Sequence, residues 1–153
     1  MYIQKSYPSY SDGSPMGIGD ELEVSYPDLH GIPHRGLVYR LIEGPLGVEA
    51  IEIIHNSKRA GGVCVVSWDD FAQGQTVRLR RRPGSTEHAH QIIVLAEKLK
   101  HHPYDAGNAN CEHFTDWCYN GGTQAKSETL QAGVLIGSIV VALGIAAFAG
   151  DRN

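Results

Sequence analysis

The residue best suited to covalent chemistry is Cys111, which lies within Asn110-Cys111-Glu112-His113-Phe114. The residues from Tyr104 to Asn110 predict a loop, and those that follow predict a helix from Cys111 to about Asn120, stopped by Gly121-Gly122. A helix N-terminus stabilises negative charge, and the thiolate is the nucleophilic form of cysteine. We therefore expect this position to lower the pKa of the thiol and to make it a nucleophile, provided that a base can reach it.

The base that activates a cysteine is usually a histidine, which a third group orients. Four of the eight histidines lie within or beside a predicted helix and are interpreted as surface residues: His88, His90, His101 and His102. His34 and His55 instead lie at the ends of two predicted strands. If these strands form a hairpin around Gly44–Gly47, the two histidines become cross-strand neighbours, with allowance for a bulge. From the residues alone, two ordinary strand-end histidines remain the alternative.

Alternating and helical patterns predict the elements that would carry these side chains. The predicted strands are Glu21–Ser25, His34–Ile42, Val48–His55, Val63–Val66 and Gln75–Arg82. A capping box at Ser67 predicts a short helix that ends near Gly74, and Ser85 or Thr86 begins a longer helix to about His101. Strands followed by helices predict an α+β fold, an antiparallel sheet packed with helices.

Composition limits the classes of function. The 153 residues suffice for one domain with a sizeable core, and the net charge of −4 does not favour nucleic acid as a partner. The three cysteines do not form a disulfide framework, which indicates a reducing compartment. We expect Cys64 to be buried and inert, and Cys118 to pack in the core. The first 14 residues lack the apolar core of a secretory signal.

The C-terminal region departs from this globular pattern. Ala132–Ala149 contains no charged residue, and a transmembrane helix needs roughly 17–25 apolar residues. Gly133 and Gly137 have the spacing of small residues that allows helices to associate in lipid. We expect residues 129–150 to form a hydrophobic helix and membrane anchor; a buried helix or a flexible Gly/Ala tail is the alternative.

Four segments resemble, in order, the lecithin–retinol acyltransferase-like (LRAT-like) family, which includes the HRAS-like suppressor phospholipase/acyltransferases. They are Gly19–Val24, His34–Tyr39, Ile53–Ser57, and Asn110–Phe114 followed by Trp117-Cys118 and Gly121. The resemblance covers roughly residues 17–124, after an irregular lead-in over residues 1–16. It implies a circularly permuted papain-like (NlpC-type) fold.

The resemblance also implies an activity and site roles. Cys111 would be the nucleophile, His34 the general base and acid, and His55 the orienting third residue, with no cofactor. An acyl chain would pass from a glycerophospholipid to the thiol as a thioester, and then to water, an amine or another lipid. Further assignments are substrate binding for Arg35 and Tyr39, and structural support for Asn110, Glu112 and His113. Arg35 and Ile32 stand where that family commonly has aromatic residues.

Other functions stay open at this point. The parent fold allows a cysteine peptidase or amidase, and a non-catalytic membrane-binding module would keep the fold without the reaction. His34, His55, Cys111 and His113 do not have C-x-x-C or H-x-x-x-H spacing, so we expect no metal. With a phospholipid substrate and a C-terminal anchor, we expect a membrane-associated protein whose catalytic domain lies in the cytoplasm.

Overall fold

The computed structural model describes residues 10, 13–29 and 32–123. Over these residues the elements are β1 (Glu21–Ser25), a 3-10 turn (Pro27–Leu29), β2 (Pro33–Gly44), β3 (Gly47–Ser57), β4 (Gly62–Ser67), α1 (Trp68–Ala72), β5 (Val77–Arg81), α2 (Thr86–Lys98) and α3 (Cys111–Tyr119). The strands form an antiparallel sheet of order β4-β3-β2-β1-β5. The predicted α+β class is therefore confirmed.

The turn signal at Gly44–Gly47 predicted the long β2–β3 hairpin, and the structure confirms it, with β2 as the central strand of the sheet. Leu37 pairs with Ile54, and the register shifts at two points before Gly44 meets Gly47. If this register continues, Gly36 lies opposite His55. His34 then lies diagonally across from His55. A Cβ at Gly36 would lie 2.7 Å from Ile53 Cγ2 and 2.8 Å from Phe71 Cε2, so this position accepts only glycine without repacking.

A separate hydrophobic cluster covers each face of the hairpin. On one face Leu37 and Ile54 pack against α2 and α3. On the other face Val38 and Ile53 pack with Phe71 of α1. Because successive strand side chains point to opposite faces, Arg35 and Asn56 share the α3 face, whereas His34 and His55 share the Phe71 face. This division places Arg35, and neither His34 nor His55, on the face that α3 covers.

The helix starts agree with the predicted caps. Ser67 Oγ accepts from the backbone N–H of Asp70 at 3.1 Å, and Ser85 Oγ accepts from that of His88 at 3.1 Å. The prediction that α2 continues to about His101 is wrong, because the helix ends at Lys98. The backbone N–H of His101, whose φ is 65°, donates to the Val63 carbonyl and ties the chain to β4.

Two further expectations can be compared with the described residues. Cys118 is 1% exposed, as predicted, but Cys64 is only partly buried because β4 is an edge strand. The predicted anchor at residues 129–150, with Gly133 and Gly137, lies outside the described residues, as does most of the lead-in. Within residues 10–123, where described, no helix is long and apolar enough to cross a membrane.

Candidate functional site

The structure brings His34 and His55 into direct contact. His34 Nε2 lies 2.7 Å from His55 Nδ1, so one ring donates a hydrogen bond to the other. The rings meet edge to face, and both contact Phe71 with centroid distances of 5.8 and 5.7 Å. The prediction that the hairpin makes these histidines neighbours is confirmed; their catalytic roles stay predictions.

Burial keeps both imidazoles neutral. It lowers the pKa of His34 to about 4. It also lowers the pKa of His55 to about 3, with a smaller contribution from the charge of His34. An imidazole that is neutral at pH 7 can accept a proton, which a general base must do.

Cys111 begins α3, and Asn110 caps this helix. Asn110 Oδ1 accepts from the backbone N–H groups of Glu112 and His113, each at 3.0 Å. Burial nevertheless raises the pKa of the Cys111 thiol, while the backbone N–H and the charge of Arg35 act in the lowering direction. The expectation that the helix start lowers this pKa is therefore wrong, because desolvation of the thiolate outweighs the favourable groups.

Arg35 follows His34 in β2 and points to the α3 face. Its Nη1 lies 3.1 Å from Glu112 Oε1, and its Nε lies 3.6 Å from Glu23 Oε2. The side chain is 13% exposed. Substrate binding by Arg35 stays a prediction, but the structure does position its charge beside the start of α3.

The cysteine and the histidine pair share a neighbour, Tyr26. The rings of Tyr26 and His34 are 5.7 Å apart, and burial, together with the charges of Cys111 and Asp28, raises the pKa of Tyr26 to about 12. Within the described part of the chain, no hydrogen bond joins either histidine to the thiol. The structure thus brings His34 and His55 together, and it links the pair to Cys111 through Tyr26, which contacts the His34 ring and responds to the charge of Cys111.

Asn56 connects the His55 strand to the residues just before Cys111. This side chain is 2% exposed, and its Nδ2 donates to the Ala109 carbonyl at 2.6 Å and to the Asn110 carbonyl at 3.5 Å. Ala109 also exchanges two backbone hydrogen bonds with Asp105, which closes the loop. Sequence reasoning missed Asn56; the one available signal is an amide that directly follows His55 in the segment Ile53–Ser57.

A cavity of about 30 Å³ lies beneath this loop. Three of its lining residues carry a buried polar atom without a hydrogen-bond partner among the described residues: Asn56 Oδ1, His113 Nδ1 and Trp117 Nε1. A cavity of this size can hold a water molecule, which would satisfy such groups. His113 therefore belongs to the interior that supports the start of α3.

Tyr39, the other residue predicted to bind substrate, is held by α2 and the turn after it. Its hydroxyl donates to Glu97 Oε1 at 2.5 Å and accepts from Lys100 Nζ at 2.9 Å, and the side chain is 3% exposed. Substrate binding by Tyr39 stays a prediction. Across the described ranges, no group of three or more His, Cys, Asp and Glu residues is arranged to hold a metal ion.

No family model matches the chain, and no curated protein matches it. The LRAT-like resemblance therefore rests on the segments quoted above and on their order along the sequence.

Proposed function

We propose that this protein is a thiol-dependent phospholipase A/acyltransferase with a Cys111–His34–His55 site. The observation that carries the proposal is the hydrogen-bonded pair of neutral histidines, 2.7 Å apart. His34 directly precedes Arg35, whose backbone N–H and charge act on the Cys111 thiol. The order of the LRAT-like segments also supports the proposal. We also infer that the antiparallel sheet and its helices form a circularly permuted papain-like (NlpC-type) domain over residues 17–124.

The first half of the reaction would acylate the thiol. Nε2 of His34 is hydrogen-bonded to His55. Nδ1 of His34 is therefore the nitrogen that would take the proton from Cys111 as the ring approaches the thiol. The thiolate attacks the ester carbonyl of a glycerophospholipid, the bond to the glycerol oxygen breaks, and His34 returns the proton to that oxygen. Asn110 Oδ1 accepts hydrogen bonds from the backbone N–H groups of Glu112 and His113. The backbone N–H of Cys111 is therefore the one available to the oxyanion.

The second half would release the acyl group. Water, an amine or a lipid hydroxyl attacks the thioester carbonyl while His34 removes its proton, and the C–S bond breaks to regenerate the thiol. Hydrolysis and transfer differ only in this acceptor. The predicted helix at residues 129–150 would hold the site at a membrane, where the substrate is concentrated, with self-association through Gly133 and Gly137 and the domain in the cytoplasm.

A non-catalytic membrane-binding module is the second candidate. Two observations favour it: burial raises the pKa of the Cys111 thiol, and the histidine rings lie on the Phe71 face, opposite α3. An enzyme with this site must bring His34 to the thiol during the reaction, whereas a binding module has no such requirement.

The test is whether phosphatidylcholine acylates Cys111. The full chain is incubated with lipid labelled in the acyl chain, and the Cys111 peptide is examined by mass spectrometry. We expect an acyl adduct and released lysolipid in the wild type and in the matched control Cys64→Ser, and neither in Cys111→Ser.

The negative outcomes are also informative. Absence of an adduct with any lipid, together with cleavage of a peptide substrate, would overturn the proposal in favour of an NlpC-type amidase. Absence of both activities would favour the binding module. Membrane anchoring is tested separately, because removal of residues 129–153 should move the protein from the membrane to the soluble fraction.

A further inference from the structure

We propose that Arg35 supplies the positive charge that stabilises the Cys111 thiolate, a role that cysteine–histidine enzymes usually give to a protonated histidine. This role deepens the proposed function, on which it rests for the use of Cys111 as a nucleophile. It does not follow from the LRAT-like resemblance, since that family commonly has an aromatic residue at this position.

The geometry around Arg35 supports this role. Arg35 lies on the α3 face of β2, and its guanidinium contacts Glu112, the residue directly after Cys111. Arg35 Nη1 is buried and forms an ion pair with Glu112 Oε1 at 3.1 Å, although this contact does not have the geometry of a hydrogen bond. Because this nitrogen keeps a donor direction that no described acceptor fills, a second anion beside it, such as the Cys111 thiolate, would be stabilised.

The acidic neighbours of Arg35 do not cancel its charge at the thiol. The side chain of Glu112 is 55% exposed, so water screens it, whereas that of Arg35 is 13% exposed. The charge of Glu23 is shared between Arg35 and Arg80, because Arg80 Nε lies 3.8 Å from Glu23 Oε2, the oxygen that also pairs with Arg35. The guanidinium therefore acts in the more buried environment, where electrostatic interactions are stronger.

Among the described residues, the other groups near the thiol provide no competing cation. Tyr26 and Tyr104, from two loops, both have raised pKa values and are neutral at pH 7. His34 and His55 are held neutral by burial on the Phe71 face. Of the described groups that act on Cys111, Arg35 is the one with a positive charge. Its backbone N–H also donates a hydrogen bond to the Cys111 sulfur.

The experiment measures the rate at which iodoacetamide alkylates Cys111 as a function of pH, in the full chain, by mass spectrometry of the Cys111 peptide. A shift of one pKa unit changes the thiolate fraction tenfold below the midpoint. We expect Arg35→Gln to slow alkylation at pH 7 by roughly tenfold and to move the midpoint upward. Arg35→Lys keeps the charge and should recover much of the rate, and Glu112→Gln should move the midpoint in the opposite direction.

The matched control is Arg40→Gln, on the same strand, whose side chain is 59% exposed and pairs with Glu52; it should leave the midpoint unchanged. Cys118, which is 1% exposed, reports unfolding, because alkylation of this residue reveals a variant that does not fold. If Arg35→Gln fails this check, Arg35→Met takes its place, because it keeps the apolar stem of the side chain without the charge. An unchanged midpoint in folded Arg35→Met would then overturn the role of Arg35.

An unchanged midpoint in folded Arg35→Gln would also overturn the role of Arg35, as would a larger upward shift in His34→Asn. The lipid assay separates this result from the proposed function. An Arg35-dependent midpoint without a lipid adduct supports the charge role and rejects the lipid chemistry. A lipid adduct with a midpoint that does not depend on Arg35 supports the lipid chemistry and rejects the charge role.

Discussion

His34 and His55 donate and accept one hydrogen bond, 2.7 Å long, between two antiparallel strands. The pair lies against Phe71, which is fully buried. This contact links the two halves of the hairpin with side chains that titrate below their usual pH range, because burial disfavours their charged forms.

The first prediction concerns stability against pH. The pKa of each histidine is 6.5 when unperturbed, but about 4 for His34 and about 3 for His55 in the fold. Between these values the unfolded chain binds more protons than the folded chain, so the free energy of unfolding falls as pH decreases below 6.5. We expect a loss of about 1–2 kcal/mol per histidine between pH 7 and pH 5, measured by urea unfolding with tryptophan fluorescence.

Single substitutions identify the source of this pH dependence. His55→Gln should flatten the profile between pH 7 and pH 5, since one of the two groups no longer titrates. His90→Gln, at an exposed position on α2, should keep the wild-type slope. An unchanged slope in His55→Gln would show that other groups cause the pH dependence.

The second prediction concerns the link between β3 and the cysteine loop. Asn56→Asp removes the donor to the Ala109 carbonyl and places a carboxylate beside that oxygen, so we expect a loss of about 1–3 kcal/mol in the free energy of unfolding. It should also slow acylation of Cys111, because Asn56 fixes the residues before α3. Urea unfolding and the lipid adduct assay measure the two effects.

Asn120→Asp is the matched control for this substitution, since Asn120 is exposed at the end of α3. This variant should retain both the stability and the acylation rate of the wild type. If Asn56→Asp has the same unfolding midpoint as Asn120→Asp, the hydrogen bond to Ala109 does not stabilise the loop.

The pairing of the histidines could be predicted from sequence because it depends on local signals. The Gly44–Gly47 turn and the alternation on either side of it define a hairpin, and counting from the turn brings His34 near His55. The face on which they lie could not be predicted. Leu37, Val38 and Tyr39 are all buried, because clusters cover both faces of β2, and a strand buried on both faces loses the alternation that distinguishes them.

The tertiary partners of the site also lacked a sequence signal. Tyr26 lies in a predicted loop, and the acceptor of its hydroxyl is the Phe71 carbonyl, 45 residues along the chain. The bond from Asn56 to Ala109 spans 53 residues. The pKa of Cys111 was expected to fall because the helix start is a local feature, whereas the burial that raises it depends on the packing of distant segments.

The third prediction tests the close packing behind the histidine pair. Gly36→Ala introduces a Cβ 2.7 Å from Ile53 Cγ2 and 2.8 Å from Phe71 Cε2, so we expect a loss of about 1–3 kcal/mol from overpacking. Gly84→Ala is the matched control, since its new Cβ meets only His88 Nδ1, at 4.0 Å. Thermal unfolding of both variants measures the difference, and equal melting temperatures would contradict the packing described for Phe71.

The fourth prediction concerns the tyrosine that neighbours both His34 and Cys111. Tyr26→Ala removes the ring that lies 5.7 Å from that of His34 and admits water, so the pKa of His34 should rise from about 4 towards its usual value of 6.5. Tyr26→Phe keeps the ring and loses only the hydroxyl that donates to the Phe71 carbonyl. It should therefore cost about 1 kcal/mol in stability and leave that pKa low. NMR titration of the His34 ring measures both variants; a His34 pKa that stays low in Tyr26→Ala would mean that Phe71 and His55 alone exclude water from the ring.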